Sequence, residues 1–296
     1  MLPPEVVRQI RRLQLRARRA VRTLLGGEYH STFKGAGLSF EEVREYQPGD
    51  DVRGIDWNVT ARMGQPYIKR YVEERELTLL LVVDLSASQR FGTGAQQKRA
   101  VAAELAALLA FSAIGNNDRV GLLAFSDRIE RHVTPGKGTR HVLRLLRDLL
   151  YYQPEGKGTD LALALDHINK VQKRRTVVFV ISDFLGDHES FANSFRRAAH
   201  RHDLIAIRTS DPREQSWPAV GLVQLEDAET GKQLLIDTND SRFRTAFTER
   251  ATQRQEQLRK LVRGSGADLI EVSTDGQHFD PLLKFFRSRV RRRGRS

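Results

Sequence analysis

Residues 79–89 read LLLVVDLSASQ: five consecutive apolar residues, then Asp84, then a run dominated by small polar residues. A half-buried strand alternates apolar and polar side chains, because neighbours point to opposite faces. A strand apolar at every position is covered on both faces, as in a parallel sheet between two helical layers. Residues 176–183, TVVFVISD, repeat the pattern and also end on Asp. Two such strands place Asp84 and Asp183 at the carboxyl ends of one sheet, where open α/β sheets collect their ligands.

The flanking sequence supports that sheet. Apolar periodicity predicts helices over 98–114, 140–151, 160–171, 188–200, 240–262 and 280–290, with strands over 119–125, 204–209 and 267–273. Residues 128–133 extend one edge as a hairpin, and alternation around Glu229, Thr230 and Gly231 predicts another hairpin. Strands alternating with helices at this spacing make an α/β fold with a doubly wound, mostly parallel sheet. Upstream, residues 4–25 carry Val6, Ile10, Leu13, Ala17, Val21 and Leu24 at helical spacing with arginines between them, stopped by Gly26-Gly27. Residues 28–76 are short runs broken by Pro48-Gly49-Asp50-Asp51 and Gly64-Gln65-Pro66, which predicts strands and turns. The expected organisation is a basic amphipathic helix (1–27), a smaller β-rich subdomain (28–76), the α/β domain (77–283) and a basic tail (284–296).

The chain has 296 residues, 40% hydrophobic and 29% charged, without cysteine. Disulfides and thiolate metal sites are excluded, and a cytoplasmic location is the expectation. No apolar run reaches the roughly 18 residues a membrane span needs, and no signal peptide is recognisable. The net charge is +12, yet residues 1–22 hold +6 and residues 284–296 hold +7, so the body between them stands at −1. Basic ends of this kind suit nucleic acid or anionic lipid headgroups, or are simply solvated.

Five oxygen-bearing side chains fall where strands should end: Asp84, Ser86 and Ser88, then Thr159 in GKGTDL, then Asp183. Ser86 and Ser88 are two apart, so an extended loop turns both hydroxyls the same way. The set is all hard oxygen, which disfavours Zn²⁺ and favours Mg²⁺, with Mn²⁺ or Ca²⁺ as alternatives. Two carboxylates underneutralise a dication, leaving a place for an Asp or Glu carboxylate from a protein partner. The competing structural account is that such residues cap helices.

The order Asp-x-Ser-x-Ser, Thr, Asp resembles the metal-ion-dependent adhesion site of the von Willebrand factor A domain. A more specific resemblance lies in GAGLSFEEVREYQPGDDVRGIDWNVTARMGQPYIKRYVEERE, residues 35–76. Gly35, Gly37, Phe40, Arg44, Tyr46, Gly49, Asp50, Arg53, Ile55, Asp56, Trp57, Ala61 and Arg62 are similar in order and spacing to the signature of the domain-of-unknown-function 58 family. The resemblance spans about residues 25–210. It implies a von Willebrand A-like domain after the signature, and a partnership with a MoxR-type AAA+ ATPase in assembling or maturing client proteins. Within the signature, Asp56, Arg53 and Arg62 are expected to form a buried ion-pair network, with Trp57 packed on the sheet, and the alternative to this scaffold is a partner-recognition surface.

Other chemistries find little support. Neither GKGT, at 136 or 156, has the upstream glycine and Gly-Lys-Ser/Thr order of a phosphate-binding loop. Ser86 and Ser182 lack a nucleophile elbow, and no H-E-x-x-H occurs. The expected protein is therefore a non-enzymatic, metal-dependent interaction module. The alternatives are a nucleic-acid- or membrane-surface-associated factor working through residues 1–22 and 284–296, and a metal-dependent hydrolase.

Overall fold

The computed structural model describes residues 4–24, 29, 32–33, 39–72, 76–94, 96–229, 231–276 and 278–293. Gly26-Gly27, Gly35 and Gly37 of the signature, and the end of the basic tail lie outside the described residues. A central sheet of six strands carries the fold: β3 (Thr78–Asp84), β4 (Arg119–Phe125), β5 (Ile129–Gly136), β6 (Val177–Ser182), β7 (Asp203–Ser210) and β10 (Asp268–Ser273). Their spatial order is β10-β7-β6-β3-β4-β5. All pairings are parallel except β4 with the edge strand β5. From β3 the chain builds outward through β4 and β5, then crosses to the other side and builds through β6, β7 and β10. The switch point thus lies between β3 and β6.

The continuous apolar runs are explained by two cores, one on each face. Leu79, Leu81 and Val83 pack into one cluster, and Leu80 and Val82 into the other. The first face is covered by α3 (Lys98–Gly115), α4 (Gly138–Tyr151) and α8 (Asp280–Arg293), the second by α5 (Leu161–Val171), α6 (His188–Arg201) and α7 (Ser241–Gly264). Helix α3 is buried nearly all round, from Val101 to Ala113. A helix apolar on all sides needs a third layer, and α1 (Pro4–Leu24) supplies it through Leu13, Ala17 and Ala20. The alanines of both helices let their backbones approach closely. Arg16 Nη1 to Glu104 Oε1 at 3.1 Å and Arg18 over the Phe111 ring at 5.6 Å fix the docking.

Residues 39–72 form an antiparallel pair, β1 (Ser39–Glu45) with β2 (Tyr67–Val72), separate from the main sheet. Strands and turns alone do not describe this region: α2 (Trp57–Met63) sits between the strands. Asp56 caps it, its carboxylate accepting from the backbone N–H of Asn58 and Val59, and Gly64 closes it at φ 75°. The expected network is not buried as a unit. Arg53 and Arg62 are exposed, and Trp57 is 70% exposed instead of packed on the sheet. A short helix opened by an Asp cap turns its first residue outward, which the sequence pattern alone does not reveal.

The expected basic tail is mostly helix. In α8, Phe285 and Phe286 are buried, and Arg289 Nη2 contacts both carboxylate oxygens of Asp203 at 2.6 Å while its guanidinium lies 5.1 Å from the Phe33 ring centre. No helix among the described residues is long and apolar enough to cross a membrane.

Candidate functional site

Val83 pairs with Ile181 across the switch point, so the next residues outward, Asp84 and Ser182, lie side by side. Ser182 Oγ donates to Asp84 Oδ2 at 2.7 Å, and the Ser86 backbone N–H donates to Asp84 Oδ1 at 2.8 Å. The chain then makes one 3-10 turn, Ala87–Arg90, which brings Ser86 Oγ to 3.1 Å from Ser88 Oγ. Ser88 Oγ donates to Asp183 Oδ2 at 2.7 Å. Phe184 follows at φ 53°, a left-handed conformation unusual for a bulky residue. Its N–H bonds Ser182 Oγ, and the Leu185 N–H bonds Asp183 Oδ1. The strained turn therefore aims the Asp183 carboxylate back across the strand ends.

Four of the five expected residues, Asp84, Ser86, Ser88 and Asp183, thus share one hydrogen-bonded chain. Thr159 is placed differently. Its loop is tied to the serine loop by the Ala87 N–H donating to Lys157 O at 2.9 Å, but its hydroxyl donates to Glu229 Oε1 at 3.1 Å. The loop is tightly seated, because a Cβ on Gly156 would fall 2.2 Å from Asp127 Oδ1 and 2.3 Å from Ser126 Oγ.

The electrostatics are set by burial. Asp84 is fully enclosed, and its pKa is pushed up to about 7 by that burial first and by the nearby Asp183 second, against hydrogen bonds from Ser182 and Ser86. Lys98, the first residue of α3, is also fully enclosed. Its ammonium donates to Asp183 Oδ2 at 2.6 Å and to Glu214 Oε1. Burial works against that charge, yet Asp183 and Glu214 outweigh it and hold the pKa above its ordinary value. Burial pushes Glu214 up, against the pull of Lys98.

Glu214 closes a capping box with Asp211, which accepts from Thr93 and Thr274 hydroxyls at 2.6 and 2.7 Å. A polar row therefore crosses the sheet rim from β10 to β3.

The sequence reading missed Lys98, Ser182, Glu214 and Glu229. Lys98 had a signal: a lysine in the first turn of a helix opposes the helix dipole, so it calls for a negative partner. The others become visible only once the strand ends are side by side.

The donor set suits a hard divalent cation. Hydroxyls and carboxylates meet at the half-buried Ser88, whose partner Asp183 also accepts from the Lys98 ammonium. Among the described residues no three or more His, Asp or Glu side chains are grouped to hold an ion. An ion here would depend on the serine and threonine hydroxyls as well as the carboxylates.

These features define a doubly wound α/β protein with a carboxylate–hydroxyl rim at its topological switch point. The chain belongs to the family described as protein of unknown function DUF58, matched over residues 42–257. It is 35% identical over 292 residues to the uncharacterized protein Rv1480 of Mycobacterium tuberculosis, covering 97% of this chain and 91% of that one. Similar solved structures include an aerotolerance-related membrane protein from Bacteroides fragilis, at 14% identity and TM-score 0.45 over 73% of this chain and 99% of that one. Another is the SpRpn10 VWA domain, at 12% identity and TM-score 0.41 over 71% and 95% of the two chains.

Proposed function

We propose that this protein is a non-enzymatic interaction module whose rim binds a divalent cation, Mg²⁺ before Mn²⁺ or Ca²⁺, and through it a carboxylate of a protein partner. The observation that carries this reading is the convergence of Asp84, Ser86, Ser88 and Asp183 at the switch point, linked by bonds of 2.7–3.1 Å. Asp84 would supply negative charge once ionised, Asp183 would share its charge with Lys98, the serines would supply neutral oxygens, and Thr159 stands on the loop that Ala87 N–H ties to Lys157 O. The cation would supply an electrophilic centre for an Asp or Glu from outside. The family resemblance makes a MoxR-type AAA+ ATPase the partner to test first, with this chain as a cytoplasmic adaptor for client assembly or maturation.

Calorimetric titration of Mg²⁺ and Mn²⁺ tests the reading. The wild type should bind, and Asp84→Ala combined with Asp183→Ala should not. Absence of binding to the wild type sinks it. A pull-down of the ATPase should then require the metal.

One observation favours a second reading. Helix α1 buries its apolar side and leaves Arg8, Arg11, Arg12 and Arg19 exposed, near the exposed Arg140 and Arg144 of α4. A basic surface of this kind suits nucleic acid or an anionic membrane. Binding of either that survives Asp84→Ala but falls steeply with salt would support it.

A further inference from the structure

Strand β10 ends the central sheet: it pairs with β7 on one side and with no strand on the other. The chain's remaining hairpin, β8 (Leu222–Glu226) with β9 (Gln233–Asp237), pairs only with itself and adds no strand there. In a parallel ladder the N–H and C=O of one residue face one neighbour, and those of the next residue face the other side. The Thr274 N–H donates to Ser210 O at 3.0 Å, and Val272 O accepts from Ser210 Oγ at 3.4 Å, so the even-numbered residues face β7. The backbone groups of Leu269, Glu271 and Ser273 therefore point out of the sheet, and they have no hydrogen-bond partner among the described residues. All three residues are only half-buried. A groove of about 460 Å³ opens against this strand, lined by Arg259 and Arg263 of α7, Arg292 of α8, and the strand's own Asp268 and Glu271.

The charge around this edge is one-sided. Helix α7 holds seven Arg and Lys against two Glu, and α8 holds six against Asp280, so each is net +5. The two helices lie on opposite faces of β10: Ile270 and Val272 pack into the cluster under α8, and Leu269 against the one under α7. The strand's own acids are already paired, Glu271 with Arg259 at 2.6 Å and Asp268 with Arg292 and Arg289 at 3.4 and 3.5 Å. Arg263, exposed in the last turn of α7, has no ion pair among the described residues. We propose that the β10 edge binds an extended acidic segment of another protein, which joins the sheet as a seventh strand. The outward N–H and C=O groups supply the ladder. Side chains of an added strand alternate between the two faces. Both faces are basic here, so a run of consecutive Asp or Glu meets arginine on either side. A second copy of this chain would set net +5 helices against each other on both faces, and like charges repel. A nucleic-acid backbone matches the charge but has no alternating N–H and C=O groups to complete the ladder. The edge needs no metal.

Fluorescence anisotropy of the full chain in EDTA, with a labelled ten-residue peptide of Glu pairs separated by Val, tests this. The wild type should bind the peptide, and should bind the same peptide with Lys for Glu about tenfold more weakly or worse. Methylating four consecutive central nitrogens of the peptide backbone keeps its charge and blocks both of its edges, and should also cost about tenfold. Amide hydrogen exchange at Leu269, Glu271 and Ser273 should slow when the peptide binds. Ser273→Pro removes one outward donor and spares the ladder to β7, and Arg263→Glu reverses an exposed charge. Each should weaken binding several-fold while the thermal transition stays cooperative. Equal affinity for the methylated peptide would show that charge alone holds it and would overturn strand addition. So would a wild type that does not bind the parent peptide. A twelve-nucleotide oligothymidylate that binds as tightly as the peptide, and equally well to Ser273→Pro, would overturn it in favour of a general polyanion surface.

Discussion

Asp84 and Lys98 show how burial turns single side chains into constraints on the whole site. Below about pH 4, Asp84 is protonated in both the folded and the unfolded chain. Between there and about 7 the unfolded chain releases a proton that the fold retains. The folded state then binds more protons, so this carboxyl costs stability as pH rises. In metal-free buffer, the urea stability of wild type minus that of Asp84→Asn should fall from pH 4.5 to 7.5. A flat difference would contradict the assignment. Lys98→Ala strands Asp183 and Glu214 in the interior without their cation, and should cost about 3–5 kcal/mol in urea unfolding. A loss below about 1 kcal/mol would mean that water reaches the pair.

At the level of helices and strands, the apolar runs announced β3 and β6, and their paired burial on two faces explains why. Helix α1 was legible as amphipathic, but its partner was not. The all-round apolarity of α3 marks a helix covered on every side, but nothing in the sequence says that α1 is the element that covers it. Leu13→Ala should therefore cost about 2–4 kcal/mol, while Leu15→Ala, at a position 69% exposed, should change stability by less than about 0.5 kcal/mol. Equal effects in chemical denaturation would show that α1 is not docked. Trp57 marks the opposite case. An aromatic residue in a patterned segment reads as core, yet the Asp56 cap starts a helix whose first side chain faces outward. Gly156 belongs here too. Gly156→Ala forces Asp127 and Ser126 away from the loop and should weaken Mn²⁺ binding through Thr159 without lowering the helix content seen by circular dichroism.

Across the full fold, charge and packing are interwoven at the C-terminus. The basic residues of 284–296 overlap the helix predicted over 280–290, and α8 puts Phe285 and Phe286 into the first core and pairs Arg289 with Asp203. Truncation before residue 284 should abolish the cooperative thermal transition. It cannot serve as a neutral test of charge. Reversing the exposed Lys284 and Arg291 to Glu should leave that transition in place and isolate any role in binding anions. A truncated chain that melts like wild type would refute the structural role of α8.

Local sequence order was enough to specify the alternation of strand and helix, the two-sided burial of the sheet and the position of Asp84 and Asp183 at strand ends, because each depends on spacing along the chain. It could not specify which strands are neighbours. Placing β3 beside β6 set Ser182 against Asp84, brought Lys98 and Glu214 to Asp183, and put a hairpin carboxylate 70 residues downstream onto Thr159. Those contacts are between residues far apart in sequence, and chain folding across the switch point is the physical step that creates them.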